Sequence, residues 1–266
     1  MSKKTTTTTT TTVVTTVEET PSASKTVYYK FILDRSGSMS SIQKPTIDSY
    51  NEQIVSLKRI QSEFPGNKYI VSLIIFDDVI ETVIDNKPVT EVEKLNYDSY
   101  IPRGATALRD AIGKTIQETK SSVGKLLLEH SDENECVITV LTDGYENASK
   151  EFSNETLKML LNEANERKNW TLMFIGATQD SVLAARDYGF SAGNTATGSF
   201  TAEGMNIMNT AMSNVMYRKA YASSKGVDLG TEDMFMPLRS SSGDITGTIN
   251  LDDIDQMADE NSKTSE

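Results

Sequence analysis

Residues 34–38, Asp-Arg-Ser-Gly-Ser, put one carboxylate and two hydroxyls at alternate positions directly after an apolar run. Gly37 lets the backbone turn tightly, so that the oxygens of Asp34, Ser36 and Ser38 can face one point. Three hard oxygens suit a small divalent cation, magnesium or manganese, rather than zinc or copper. A plainer reading of the same loop is a serine-rich turn whose aspartate caps the next helix. Distant partners separate the two readings, and two candidates stand in the chain: Thr106, after Pro102-Arg-Gly-Ala, and Asp143, in Leu141-Thr-Asp-Gly. Two acids pressed together without a cation repel each other and raise one pKa, which a divalent ion between them relieves.

The elements that position these residues follow from the apolar pattern. Residues 27–33 are β-branched and aromatic, as in a strand buried on both faces of a parallel sheet, and Asp34 is the first residue beyond it. Residues 136–141 read as a second such strand, and Asp143 stands on it as Asp34 stands on the first. In open α/β sheets ligands sit outside the carboxyl ends of the strands. Neighbouring parallel strands lie about 4.8 Å apart, so pairing these two brings both carboxylates to one site. Thr106 opens a long helix over about residues 107–129, striped by Leu108, Ile112, Ile116 and Val123. As an N-cap its hydroxyl serves the helix backbone; as a ligand it serves an ion, and one oxygen serves one of these.

Other segments complete one α/β domain. Ile47, Tyr50, Ile54 and Leu57 mark an amphipathic helix ended near Phe64-Pro65-Gly66. Residues 68–76 read as a strand, and 79–84 as a short antiparallel edge strand reached through Asp77-Asp78, whose acids read as solvated turn residues. Residues 86–106 are loop-rich. A helix at 157–164, a strand at 170–175, a short helix at 181–188 stopped by Gly189, and a last edge strand within 190–200 follow. Met205, Met208, Met212, Val215 and Met216 form a stripe at helical spacing, which reads as irregular core filling. Gly113-Lys114-Thr115 echoes the end of a phosphate-binding loop, but the required earlier glycine is replaced by Leu108 and the segment reads as mid-helix.

Composition sets the limits on function. The 266 residues carry 26 basic and 38 acidic side chains, a formal charge of −12, without any Lys/Arg-rich block, which disfavours nucleic acid as a partner. Cys136 and His130 are each the single residue of their kind, which excludes a disulfide framework or a zinc cluster and leads to the expectation of a reducing, cytoplasmic setting. No stretch approaches the roughly 20 apolar residues of a membrane helix. Residues 1–25, with eight threonines at 5–12, read as a disordered arm, 26–221 as the folded domain with its methionine helix, and 222–266, with ten acids against three bases, as a flexible acidic tail.

Asp34, Ser36 and Ser38, then Thr106, then Asp143, with Gly37, Gly104 and Gly144, resemble the metal-ion-dependent adhesion site of von Willebrand factor A domains, over about residues 27–195. Phe31-Ile-Leu-Asp-Arg-Ser-Gly-Ser-Met-Ser, Pro102-Arg-Gly-Ala-Thr-Ala-Leu and Leu141-Thr-Asp-Gly-Tyr-Glu-Asn are similar to compact stand-alone versions in bacteria and their phages, some of them linked to tellurite-resistance or stress operons. The resemblance implies a Rossmann-like, doubly wound, mostly parallel sheet flanked by helices, with the cation at its top. It further implies that Ser36, Ser38 and Thr106 contact the ion directly, while one or both aspartates act through bound water.

Function is then expected to be metal-dependent protein binding, with the ion taking an Asp or Glu from a partner protein. Two other classes compete: a magnesium-dependent phosphoester hydrolase, and a structural or virion-assembly protein. Against the hydrolase, the chain shows no second metal cluster and no Gly-x-Ser-x-Gly elbow, and its single histidine follows a leucine run before an acidic loop, so a non-enzymatic role is expected.

Overall fold

The computed structural model describes residues 24–143, 146–198, 201–230, 233–239, 245 and 249–264. Six strands form one sheet: β1 (Thr26–Asp34), β2 (Lys68–Phe76), β3 (Ile80–Pro88), β4 (Asn134–Thr142), β5 (Trp170–Gly176) and β6 (Thr195–Thr197). Their order is β3-β2-β1-β4-β5-β6, with every pairing parallel except the antiparallel edge pair of β2 and β3. β1 is therefore central and pairs on one side with β4, Leu33 against Leu141. That adjacency carries Asp34 and Asp143 to the same end of the sheet.

Helices cover both faces, as buried two-sided strands require. On one face α1 (Gln43–Glu63) and α6 (Ala202–Ser224) pack over Tyr29, Phe31 and Leu33; on the other α2 (Leu108–Ser122), α3 (Gly124–Glu129), α4 (Asn154–Asn165) and α5 (Gln179–Tyr188) pack over Tyr28, Ile32 and Ile138. Met205, Met208, Met212 and Met216 lie in the first of these layers, so the methionine stripe is core. Gly189, at φ +115°, ends α5 as expected.

Three expectations are corrected. The single helix over 107–129 is two, because Val123 leaves helical geometry (φ −120°, ψ 0°) and α3 restarts at Gly124. The edge strand runs on to Pro88, well past Ile84. The described parts of residues 222–266 also pack on the domain: Phe235 and Leu238 are buried in the α1/α6 layer, and α7 (Asp252–Thr264) is held by Ile254 and by Arg218, which grips Asp253. Acidic composition obscured this, because a few buried apolar residues among many charges leave little periodic signal. Residues 1–23 of the expected Thr-rich arm lie outside the described residues, as do Gly144 and Tyr145.

Candidate metal centre

β1 ends at Asp34 and the chain turns at once, with the Ser36 amide donating to Asp34 Oδ1 at 2.7 Å, an aspartate-anchored turn. A short 3₁₀ turn over Gly37–Ile42 then leads into α1. Ser36 Oγ and Ser38 Oγ are 3.2 Å apart, and Ser38 Oγ donates to Asp143 Oδ1 at 2.8 Å. Asp34 Oδ2 accepts from the Thr142 hydroxyl of the adjoining strand, and the buried Tyr100 hydroxyl donates to the Asp34 carbonyl. Hydrogen bonds thus tie four of the five anticipated residues to one another or to a shared strand end.

The fifth, Thr106, arrives on a loop stitched to both of the others. Arg103 N donates to Arg35 O (2.7 Å) and Gly37 N to Gly104 O (3.2 Å), while Thr106 N donates to Asn147 Oδ1 (2.8 Å) and Thr106 O accepts from Asn147 N (3.0 Å). The loop's close approach depends on Gly104, which sits at φ +69° where a Cβ would stand 2.2 Å from Asp78 Oδ1.

Residues 146–149, and not the Thr106 hydroxyl, serve the start of α2. The N-cap of α2 is Ala107, which has no capping side chain. Glu146 Oε2 instead accepts from Arg109 N (2.9 Å), and Ser149 Oγ from Asp110 N (3.0 Å). Among the described residues the Thr106 hydroxyl has no hydrogen-bond partner, and it stays available to a ligand.

Asp77, expected as a solvated turn residue, is fully buried. Its Oδ2 takes Arg35 Nε at 3.0 Å and Arg103 Nε at 2.8 Å, its Oδ1 accepts from Val79 N, and its carbonyl accepts from Ala107 N. One carboxylate therefore clamps the Asp34 loop, the Thr106 loop and the β2–β3 turn. Two arginines, one directly after Asp34 and one three residues before Thr106, were the signal that sequence reading passed over. Burial acts to raise the Asp77 pKa, but the hydrogen bond from Arg103 and the charges of both arginines hold the carboxyl below its usual range.

That clamp also shapes the charge at the site. Arg35 turns away to Asp77 and Glu81, and among the described residues neither Asp34 nor Asp143 forms an ion pair. Burial pushes the Asp34 carboxyl up to about 6 against the hydrogen bonds from Thr142 and Ser36, with Asp143 adding to the rise; burial likewise raises Asp143 against its bond from Ser38. Among the described residues no three His, Cys, Asp or Glu side chains gather as a metal cluster. The donor set is instead two carboxylates lacking a counter-cation and three neutral hydroxyls, which fits a hard divalent cation.

A six-stranded, mostly parallel sheet with one antiparallel edge strand and helices on both faces is the Rossmann-like architecture seen in von Willebrand factor A domains. No protein-family model matches the chain, and no curated protein matches it. Solved structures do. The pilus adhesin SpaC from Lactobacillus rhamnosus GG aligns over 73% of this chain and 30% of its own at a TM-score of 0.51 and 12% identity. A von Willebrand factor type A protein from Catenulispora acidiphila aligns over 71% and 43% (TM-score 0.44, 13% identity). Proximal thread matrix protein 1 from the mussel byssus, described with a zinc-occupied metal-ion-dependent adhesion site, aligns over 73% and 47% (TM-score 0.44, 17% identity). The chain spans 47% of the length of the mussel protein and 34% of that of VWA2, the ArnB paralogue from Sulfolobus acidocaldarius. At such identities the likeness concerns the fold.

Proposed function

We propose that this chain is a divalent-metal-dependent protein-binding module that captures an acidic side chain of a partner protein at Asp34, Ser36, Ser38, Thr106 and Asp143. The observation that carries this reading is that the Asp143 charge acts to raise the Asp34 pKa while no Lys or Arg pairs with either carboxylate among the described residues, together with a Thr106 hydroxyl that caps no helix. Magnesium or manganese is the ion that the all-oxygen donor set favours. When bound there, such an ion supplies an electrophilic position for a carboxylate. Ser36, Ser38 and Thr106 would hold it through neutral oxygens, which leaves its charge incompletely balanced and open to a partner's acid. Asp34 and Asp143 supply the negative charge around it. Asp77, Arg35 and Arg103 keep the three loops in register.

The reading is of a binding module and not an enzyme. His130, the one histidine, is exposed at the end of α3 before β4 begins, whereas the site lies past the far end of that strand. Isothermal titration with magnesium tests the metal site on the native chain and on Asp34→Ala and Thr106→Ala. Heat from the native chain and none from the variants is expected; equal heats in all three overturn the reading.

A further inference from the structure

Away from the strand ends, the face of the sheet under α2 carries a feature that packing does not explain. Lys30 lies in the middle of β1, between Tyr28 and Ile32, and is 5% exposed. Its register partner on β2 is Ser72, so two polar residues replace apolar ones at one level of a buried parallel pair. Lys30 Nζ donates to Ser72 Oγ (2.9 Å) and to Asn86 Oδ1 (2.7 Å), and Asn86 N donates back to Ser72 Oγ (2.8 Å). Asn86 holds φ +45°, and the β2–β3 register shifts beside Ser72, between Val71 and Leu73 and between Leu73 and Ile74. A left-handed asparagine and an irregular ladder are thus arranged around one ammonium group. Among the described residues that ammonium makes no ion pair, and one of its three protons is unassigned. Burial draws its pKa below the usual lysine value. An unpaired buried cation is a costly thing for a fold to keep.

The ammonium opens onto a concavity of about 520 Å³ between the β3 edge and α2, lined by Lys30, Ser72, Thr82, Asp85, Glu118 and Ser122 among others. Its walls are largely hydroxyls. Its charges are arranged by depth: the cation is buried, and Asp85 and Glu118 are exposed side chains at the rim. A buried cation asks for an anionic group, yet two rim carboxylates repel a phosphate or any other dianion. A ligand with a carboxylate at one end and an ammonium at the other meets both demands, and the concavity is large enough to admit one.

We propose that this concavity is a binding site for a small zwitterion of the amino-acid class, its carboxylate on Lys30 and its ammonium toward Glu118 and Asp85. The site is separate from the metal centre and does not depend on how that centre functions.

Isothermal titration of the full chain with glycine, β-alanine and γ-aminobutyrate, which differ in charge separation, tests this, with butyrate and butylamine as single-charge controls. At least one zwitterion should bind, with both controls at least tenfold weaker. Lys30→Met, which fills the same space without charge, should weaken binding at least tenfold, and the surface variant Glu118→Gln several-fold. Magnesium binding and the circular dichroism spectrum should be unchanged in Glu118→Gln. Absence of binding by all three zwitterions up to about 20 mM ligand, about 20-fold above a millimolar Kd, overturns the proposal. Equal binding of butyrate, or binding untouched in Glu118→Gln, overturns it too.

Discussion

Ser38 and Asp143 stand 105 residues apart in the chain, and the Ser38 hydroxyl donates to Asp143 Oδ1 at 2.8 Å. The contact exists because β1 and β4 are neighbours in the sheet, and it joins the two loops that would share an ion. Ser38→Ala and Asp143→Ala should each lower magnesium affinity at least tenfold in a calorimetric titration. They should change metal-free stability by only about 1 kcal/mol, since the bond is exposed.

Asp34 is the more consequential acid because it is buried. Its folded-state pKa is raised from 3.8 to about 6, so the native protein holds the proton more tightly than the unfolded chain. The metal-free protein therefore loses stability as pH rises between about 4 and 6, by about 3 kcal/mol. Asp34→Asn should abolish that pH-dependent loss in EDTA and be the more stable protein at pH 7. Magnesium should stabilise the native chain but not the variant, and less at pH 5 than at pH 7.5. Thermal melts across pH, with and without magnesium, check all three outcomes.

Asp77→Ala leaves Arg35 and Arg103 without their shared carboxylate, and Arg35 is buried. Removing one member of a buried charge cluster costs about 3 kcal/mol. Magnesium affinity should fall with it, although Asp77 is not placed among the ligands. Urea unfolding and calorimetry on the same samples separate the two effects.

Gly104→Ala should cost about 1–3 kcal/mol, because φ +69° disfavours a side chain and the new Cβ would meet Asp78 Oδ1. Double substitution with Asp78→Ala should recover the part due to collision and leave the backbone part. Denaturant midpoints of the single and double variants give the division.

Glu135 sits between Lys25 (2.6 Å) and Lys219 (3.4 Å), near the opposite end of the sheet from the metal centre. Burial acts to raise its pKa, but the two lysines outweigh burial and hold the carboxyl below its usual value. A depressed acid contributes stability that is complete above about pH 4.5 and is lost as pH falls. Glu135→Gln should therefore flatten the acid limb of the stability curve while leaving magnesium binding intact, as read by melts between pH 3 and 7.

The parts of this protein that depend on local pattern were legible in its amino-acid order. The apolar runs that became β1, β2, β4 and β5 are continuous because their strands are buried on both faces, and such runs show where a strand stops. They placed Asp34 and Asp143 at the carboxyl ends of their strands, although the register sets Asp34 level with Thr142 and Asp143 one residue beyond. Residues whose roles depend on distant partners were not legible. Asp77 looked like a turn acid until Arg35 and Arg103 were seen to converge on it, and Thr106 read equally as a cap or a ligand until Glu146 and Ser149 were found to serve the helix start. Lys30 drew no notice inside an otherwise apolar strand, because its meaning lies in Ser72 and Asn86 across the sheet. Periodicity records which way a side chain faces, whereas the pairing of strands and the packing of loops decide what it meets there.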